Sequence, residues 1–98
     1  MRPFTLTRKA KADLKSIAAY TQRKWGKEQR NIYARQFDDA FHMLSENPAV
    51  GNKCDFIKQG YRVFQVASHT VFYRSLSQSA IEIVRIVHKR MDAKNQFS

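Results

Sequence analysis

The chain has 98 residues, 43% hydrophobic and 12% aromatic, with a net charge of +10. That length provides one domain with a modest core, and the apolar content excludes a disordered chain. No apolar run approaches the roughly 18 residues a membrane helix needs, and MRPFTLTRKA lacks the apolar stretch of a secretory signal, so a soluble, cytoplasmic protein is expected. A single cysteine, Cys54, cannot close an internal disulfide or furnish a zinc cluster, and is expected to be a buried or incidental thiol. Basic residues outnumber acids 10 to 5 over 1–47 and 8 to 3 over 48–98, so the excess is spread over the chain. Such a surface attracts polyanions, whether nucleic acid or an acidic protein segment.

Arg2–Thr7 alternates, with Phe4 and Leu6 on one face, and predicts a short opening strand in which Pro3 suits an edge or first position. Thr7 can cap the next helix, whose apolar stripe is Ala10, Leu14, Ile17, Ala18, Thr21 and Trp25. Gly26 ends that helix with a left-handed residue. A second helix follows over 27–46, with Tyr33, Phe37, Ala40 and Leu44 as its main stripe, widened by Ile32, Phe41 and Met43. Two helices joined through a short glycine turn lie antiparallel, as an αα-hairpin. Asn47-Pro48 stops the second helix, because proline disfavours α conformation in the residue before it.

Residues 48–60 carry no strong period and predict one long loop. Two strands follow at 61–67 and 68–76 around a tight turn at Ala67-Ser68. Ser77-Gln78-Ser79 then turns into a last strand over 81–88. By simple alternation Ile81, Ile83 and Val87 oppose Val84 and Ile86, and a strand apolar on both faces belongs inside a sheet. The expected fold is α+β, β-α-α-β-β-β, with the N-terminal αα-hairpin packed on a small antiparallel sheet. Residues 89–98 are expected to pack loosely, with 92–98 as a flexible tail.

Several short stretches in this order resemble the ParE branch of the RelE/ParE toxin superfamily over nearly the whole chain. They are Ala-x-x-Asp-Leu (Ala10–Leu14), Tyr20-Thr21 leading to Trp25-Gly26, Gln29 and Tyr33, and Gly60-Tyr61-Arg62. They continue with His69, Val71-Phe72-Tyr73-Arg74 and Arg85-Ile86-x-His88-x-x-Met91-Asp92. The resemblance implies a toxin of a type II toxin–antitoxin pair that inhibits DNA gyrase, traps cleavage complexes and blocks replication. It also implies a ParD-like antitoxin, with a ribbon-helix-helix DNA-binding part and a C-terminal segment that folds over the toxin. The charge of +10 suits a wrapped acidic partner.

The alternative within the superfamily is a RelE-type ribosome-dependent mRNA endonuclease. Attack by a 2′-hydroxyl needs a proton acceptor and cations at the scissile phosphate. His88, Arg90, Arg62 and Arg74 are the candidates for that chemistry. Relatives that cleave RNA imply a Tyr-Arg pair where His69-Thr70 stands and a C-terminal tyrosine where Gln96-Phe97 stands, so only part of a site is present. His88 is read first as a structural histidine anchoring the tail, able to approach His69 across adjacent strands. Arg85, inside an apolar strand, requires Glu82, another acid or a bound partner.

Asp38-Asp39 read as a solvated face, and His42 as packing or rim. Trp25 and Tyr33 are expected in the hairpin core, with contact to gyrase as the second reading. The expected binding regions are the hairpin and the basic exit, with Lys89, Arg90, Met91 and Phe97 facing gyrase or antitoxin. No cofactor or metal is expected. Direct sequence-specific DNA binding has no helix-turn-helix, zinc-finger or ribbon motif behind it.

Overall fold

In a computed structural model, which describes residues 4–77 and 80–89, a strand (β1, Phe4–Leu6) leads into two helices, α1 (Arg8–Trp25) and α2 (Lys27–Glu46). A 3₁₀ turn at Pro48–Val50 follows, and then strands β2 (Asn52–Lys53), β3 (Tyr61–Val66), β4 (His69–Ser77) and β5 (Ala80–His88). Arg2, Pro3, Gln78, Ser79 and the exit from Arg90 onward, with Met91 and Phe97, lie outside the described residues.

The helix ends follow local chemistry. Thr7 is extended, and its hydroxyl oxygen accepts from the Ala10 N–H at 3.0 Å, satisfying one of the first-turn donors. Gly26 alone joins the helices. Its N–H donates to the Gln22 carbonyl at 2.9 Å, and its own carbonyl accepts from the Arg30 N–H at 3.1 Å. Its φ of 97° and ψ of 170° fall in the mirror-extended region, where a side chain is strained although space around it is open. The hairpin therefore depends on glycine for conformation and not for clearance.

The sheet is five-stranded, in the order β1-β5-β4-β3-β2. It is mixed, which corrects the expectation of an antiparallel sheet: β1 lies parallel to β5, pairing Phe4 with Ile81 and Leu6 with Ile83. Strand periodicity reports which face is buried but not the direction of a neighbour, so this pairing had no signature in the sequence. The interior position expected for the last strand holds, between β1 and β4. Residues 48–60 are also more structured than a plain loop. They supply the 3₁₀ turn, edge strand β2 and a run that buries Cys54.

One face of the sheet receives the helical hairpin. Ala10, Phe37, Phe41 and Leu44 pack there against Val71, Tyr73, Ile81, Ile83 and Ile86. The opposite face carries a smaller cluster of Cys54, Phe72 and Val87, flanked by Ile57, Tyr61 and Val63. Ile81, Ile83 and Ile86 therefore share one cluster, contrary to the simple alternation expected for β5. The reason is a bulge. Phe72 pairs with Arg85 but Tyr73 with Ile83, which leaves Val84 as the extra residue. One inserted residue reverses the parity of everything after it.

The start of α1 holds this bulge. The Thr7 N–H donates to the Ile83 carbonyl at 3.0 Å, and the Thr7 hydroxyl donates to the Val84 carbonyl at 2.7 Å. Among the described residues no strand covers that edge of β5 beyond Leu6, and the Asp13 carboxylate takes the Ile86 N–H at 2.9 Å. Side chains of a helix thus complete hydrogen bonds that a longer β1 would have made.

Candidate functional site

Because the bulge turns Ile86 toward the helices, His88 two residues later faces the same way. His88 pairs directly with His69, the first residue of β4, and their rings meet edge-on with centroids 5.4 Å apart. The approach expected between these two histidines is present. From α2, the Tyr33 hydroxyl reaches His69 Nδ1 at 2.5 Å. Burial, and then the neighbouring His88, lower the His69 pKa from its ordinary value, with Asp13 acting weakly the other way. The lowered pKa favours the neutral imidazole, in which the Tyr33 contact is an O–H···N or an N–H···O bond according to the tautomer. Burial raises the Tyr33 pKa, against a smaller lowering from the Ser68 backbone.

The Ala67-Ser68 turn closes this end of the sheet. Ala67 has φ 53°, a left-handed conformation that disfavours a side chain by about 1–2 kcal/mol. The turn presents the Ser68 carbonyl to the Lys89 N–H at 2.9 Å, which fixes where the chain leaves β5. Lys89 itself is exposed. Between this turn and the closed end of the hairpin runs an open groove of about 660 Å³. Tyr20 and Trp25 of α1, Tyr33 of α2, and His69 and His88 of the sheet line it. The Lys24 ammonium is 5.6 Å from the centroids of both the Tyr20 and Trp25 rings.

Trp25 corrects an expectation: it is 64% exposed and is not core. The stripe of α1 continues to Trp25 by spacing, but the residue ends the helix at the hairpin turn. Ile32, expected to widen the α2 stripe, is likewise 47% exposed. Tyr33 does pack against the core, partly buried, as expected.

The remaining candidates are dispersed. Arg74 pairs with Glu82 at 2.8 Å, five residues along β4 from His69 and hence about 17 Å away at strand rise. Arg62 lies opposite Tyr73, and its guanidinium donates to the carbonyls of Gly51 at 2.7 Å and Ala49 at 3.3 Å. His88, Arg62 and Arg74 therefore do not converge, and Arg90 lies outside the described residues. Arg85 finds its acid in Asp13, donating through Nε at 2.8 Å and Nη2 at 3.1 Å, while Glu82 serves Arg74. Asp38 and Asp39 are exposed as expected. His42 is at the rim, with its ring 5.0 Å from that of Phe4. Cys54 is buried, and burial pushes its thiol pKa up, away from reactivity.

Sequence reasoning gave no role to Asp13, although it stood in a quoted motif. The available signal was Asp13 beside Leu14 on the buried side of α1, where an acid needs a cation.

The pattern of a family described as "ParE toxin of type II toxin-antitoxin system, parDE" matches residues 4–93. The chain belongs to the ParE toxin family. Among its relatives, Toxin ParE1 of Caulobacter vibrioides is 39% identical over 94 residues, covering 96% of each chain. Toxin ParE1 of Mycobacterium tuberculosis is 38% identical over 89 residues, 91% of each. Toxin ParE of Escherichia coli is 28% identical over 98 residues, covering 100% of this chain and 95% of that one. A solved structure described as "Chromosomal ParDE TA system from P. aeruginosa" superposes with a TM-score of 0.73 at 22% identity, covering 87% of this chain and 92% of the other. That likeness concerns the fold. In this ParE toxin of a type II toxin–antitoxin system, β5 is an interior, bulged strand and a groove lies at the hairpin's closed end. Among the described residues, no helix is long and apolar enough to cross a membrane.

Proposed function

We propose that this ParE-family toxin inhibits DNA gyrase by binding it, without chemistry of its own, and is neutralised by a ParD-like antitoxin. The observation that carries this reading is the dispersal of His88, Arg62 and Arg74. An RNA-cleaving site needs a proton acceptor and phosphate-holding cations within hydrogen-bond reach of one another. Here two arginines sit toward the far end of the strands from His88, and carbonyls and Glu82 engage them. A poison of another enzyme needs a stable surface instead, and the hairpin with the exit at Lys89, Arg90, Met91 and Phe97 is the surface we assign to it. The charge of +10 favours an antitoxin whose C-terminal segment is acidic.

The test adds purified toxin to gyrase, ATP and relaxed plasmid, with a parallel assay of ribosome-bound mRNA. Lost supercoiling or trapped double-strand breaks, with mRNA intact and activity restored by the antitoxin, are expected. Cut mRNA with unaffected gyrase would overturn the reading and make His88 and Arg90 the first residues to substitute.

A further inference from the structure

Gyrase binding as proposed above does not specify what occupies the groove at the hairpin's closed end. We propose that this groove binds single-stranded nucleic acid, stacking an unpaired base on the exposed Trp25 ring with Lys24 against the backbone phosphate. The inference stands apart from the choice of gyrase as target.

Four observations carry it. Trp25 is 64% exposed and Tyr20 is 53% exposed, and both rings line the groove. Stacking is the interaction such rings supply to a base, and it is tolerant of sequence. The Lys24 Nζ is 5.6 Å from both ring centroids and donates to the Tyr20 hydroxyl at 3.2 Å, placing one cation beside the rings. Gln29 and Gln36 supply amide donors and acceptors suited to base edges, and no carboxylate is among the described residues lining the groove. Finally, the whole chain carries +10, which concentrates polyanions at its surface.

The same observations discriminate among polyanions. An acidic peptide is recognised by several cations, and Lys24 is the only one among the described lining residues. In duplex DNA the base faces are already stacked, so a wall of rings gains nothing from them. The floor is fixed in advance. The left-handed Ala67 turn, the His69–His88 pair and the Tyr33–His69 hydrogen bond hold the sheet side of the groove.

Trp25 is the only tryptophan, so its fluorescence reports the proposed contact without a label. The experiment titrates the full chain with a fifteen-nucleotide oligo-dT, following Trp25 emission, and repeats the titration by polarisation of a fluorescein-tagged oligo-dT for the variants. Saturable quenching is expected. Trp25→Ala should weaken binding at least about tenfold, as loss of one stacked base does, and Trp25→Phe should recover part of it. Lys24→Gln should flatten the slope of log affinity against log salt by about 0.7, the contribution of one phosphate on a single strand. Lys53→Gln, on β2 away from the groove, should retain the stacking-dependent affinity.

Three results would overturn the proposal. The first is equal binding of a duplex. The second is Trp25→Ala binding like the parent while its urea midpoint shows it folded. The third is a polyglutamate peptide binding with the Trp25 dependence that oligo-dT lacks, which would assign the groove to an acidic protein segment. No gyrase or ribosome is present, so failure here leaves the gyrase reading untouched.

Discussion

Replacing Asp13 tests whether α1 holds β5 in its bulged register. The carboxylate accepts from Arg85 Nε at 2.8 Å, from Arg85 Nη2 at 3.1 Å and from the Ile86 N–H at 2.9 Å. The Asp13 and Arg85 side chains are only 16% and 14% exposed. Asp13→Ala therefore removes the carboxylate that two guanidinium nitrogens and a backbone N–H share in a poorly hydrated place. Removing one partner of a buried pair costs about 3–5 kcal/mol, and residual solvent access argues for about 3. For a chain of this size that corresponds to a fall in Tm of about 12–24 °C, readable by circular dichroism. Arg85→Met on the Asp13→Ala background removes the charge that has lost its carboxylate and should recover part of the loss, with a coupling energy above about 1 kcal/mol in a double-mutant cycle of urea unfolding. A loss below about 1 kcal/mol for Asp13→Ala, or single losses that simply add, would refute the clamp.

Gly51 has ordinary φ, but a Cβ there would lie 2.7 Å from the Val63 carbonyl and against the Tyr73 hydroxyl. That hydroxyl accepts from the Gly51 N–H and donates to the Pro48 carbonyl. Gly51→Ala should destabilise by about 1–3 kcal/mol in urea unfolding, from overpacking. His69 has its pKa lowered in the fold, chiefly by burial, so the unfolded chain binds its proton more readily. Its contribution is complete above the ordinary value of 6.5 and is lost as pH falls through that value toward the lowered one. Unfolding free energy should thus decline from pH 7.5 to 5, and His69→Gln should flatten that decline. Trp25→Ala should leave stability within about 0.5 kcal/mol of the parent, whereas Phe37→Ala should lose about 3–5, measured by the same urea titration.

Much of the site lay beyond reach of patterning, for reasons visible in single residues. The stripe of α1 reaches Trp25 by spacing alone, yet whether a stripe residue is covered depends on where the partner layer stops. Arg85 announced that it needed an acid, but Asp13 is 72 residues away in sequence and meets it only through packing of α1 on β5. The dispersal of Arg62 and Arg74 followed from strand register, which places both several pairs away from His88.

Local chemistry in the sequence by itself determined the elements: the Thr7 cap, the single-glycine link at Gly26, the stop at Asn47-Pro48 and the two-faced apolar last strand. Each depends on conformational preferences within a few residues, and each is present in the structure. Only the tertiary structure decided the parallel pairing of β1 with β5 and the bulge at Val84. Strand direction and register are properties of pairs of strands, and their hydrogen bonds are chosen by segments far apart in the chain. One unpaired residue in β5 turned His88 toward the hairpin, and with it the face on which the groove is built.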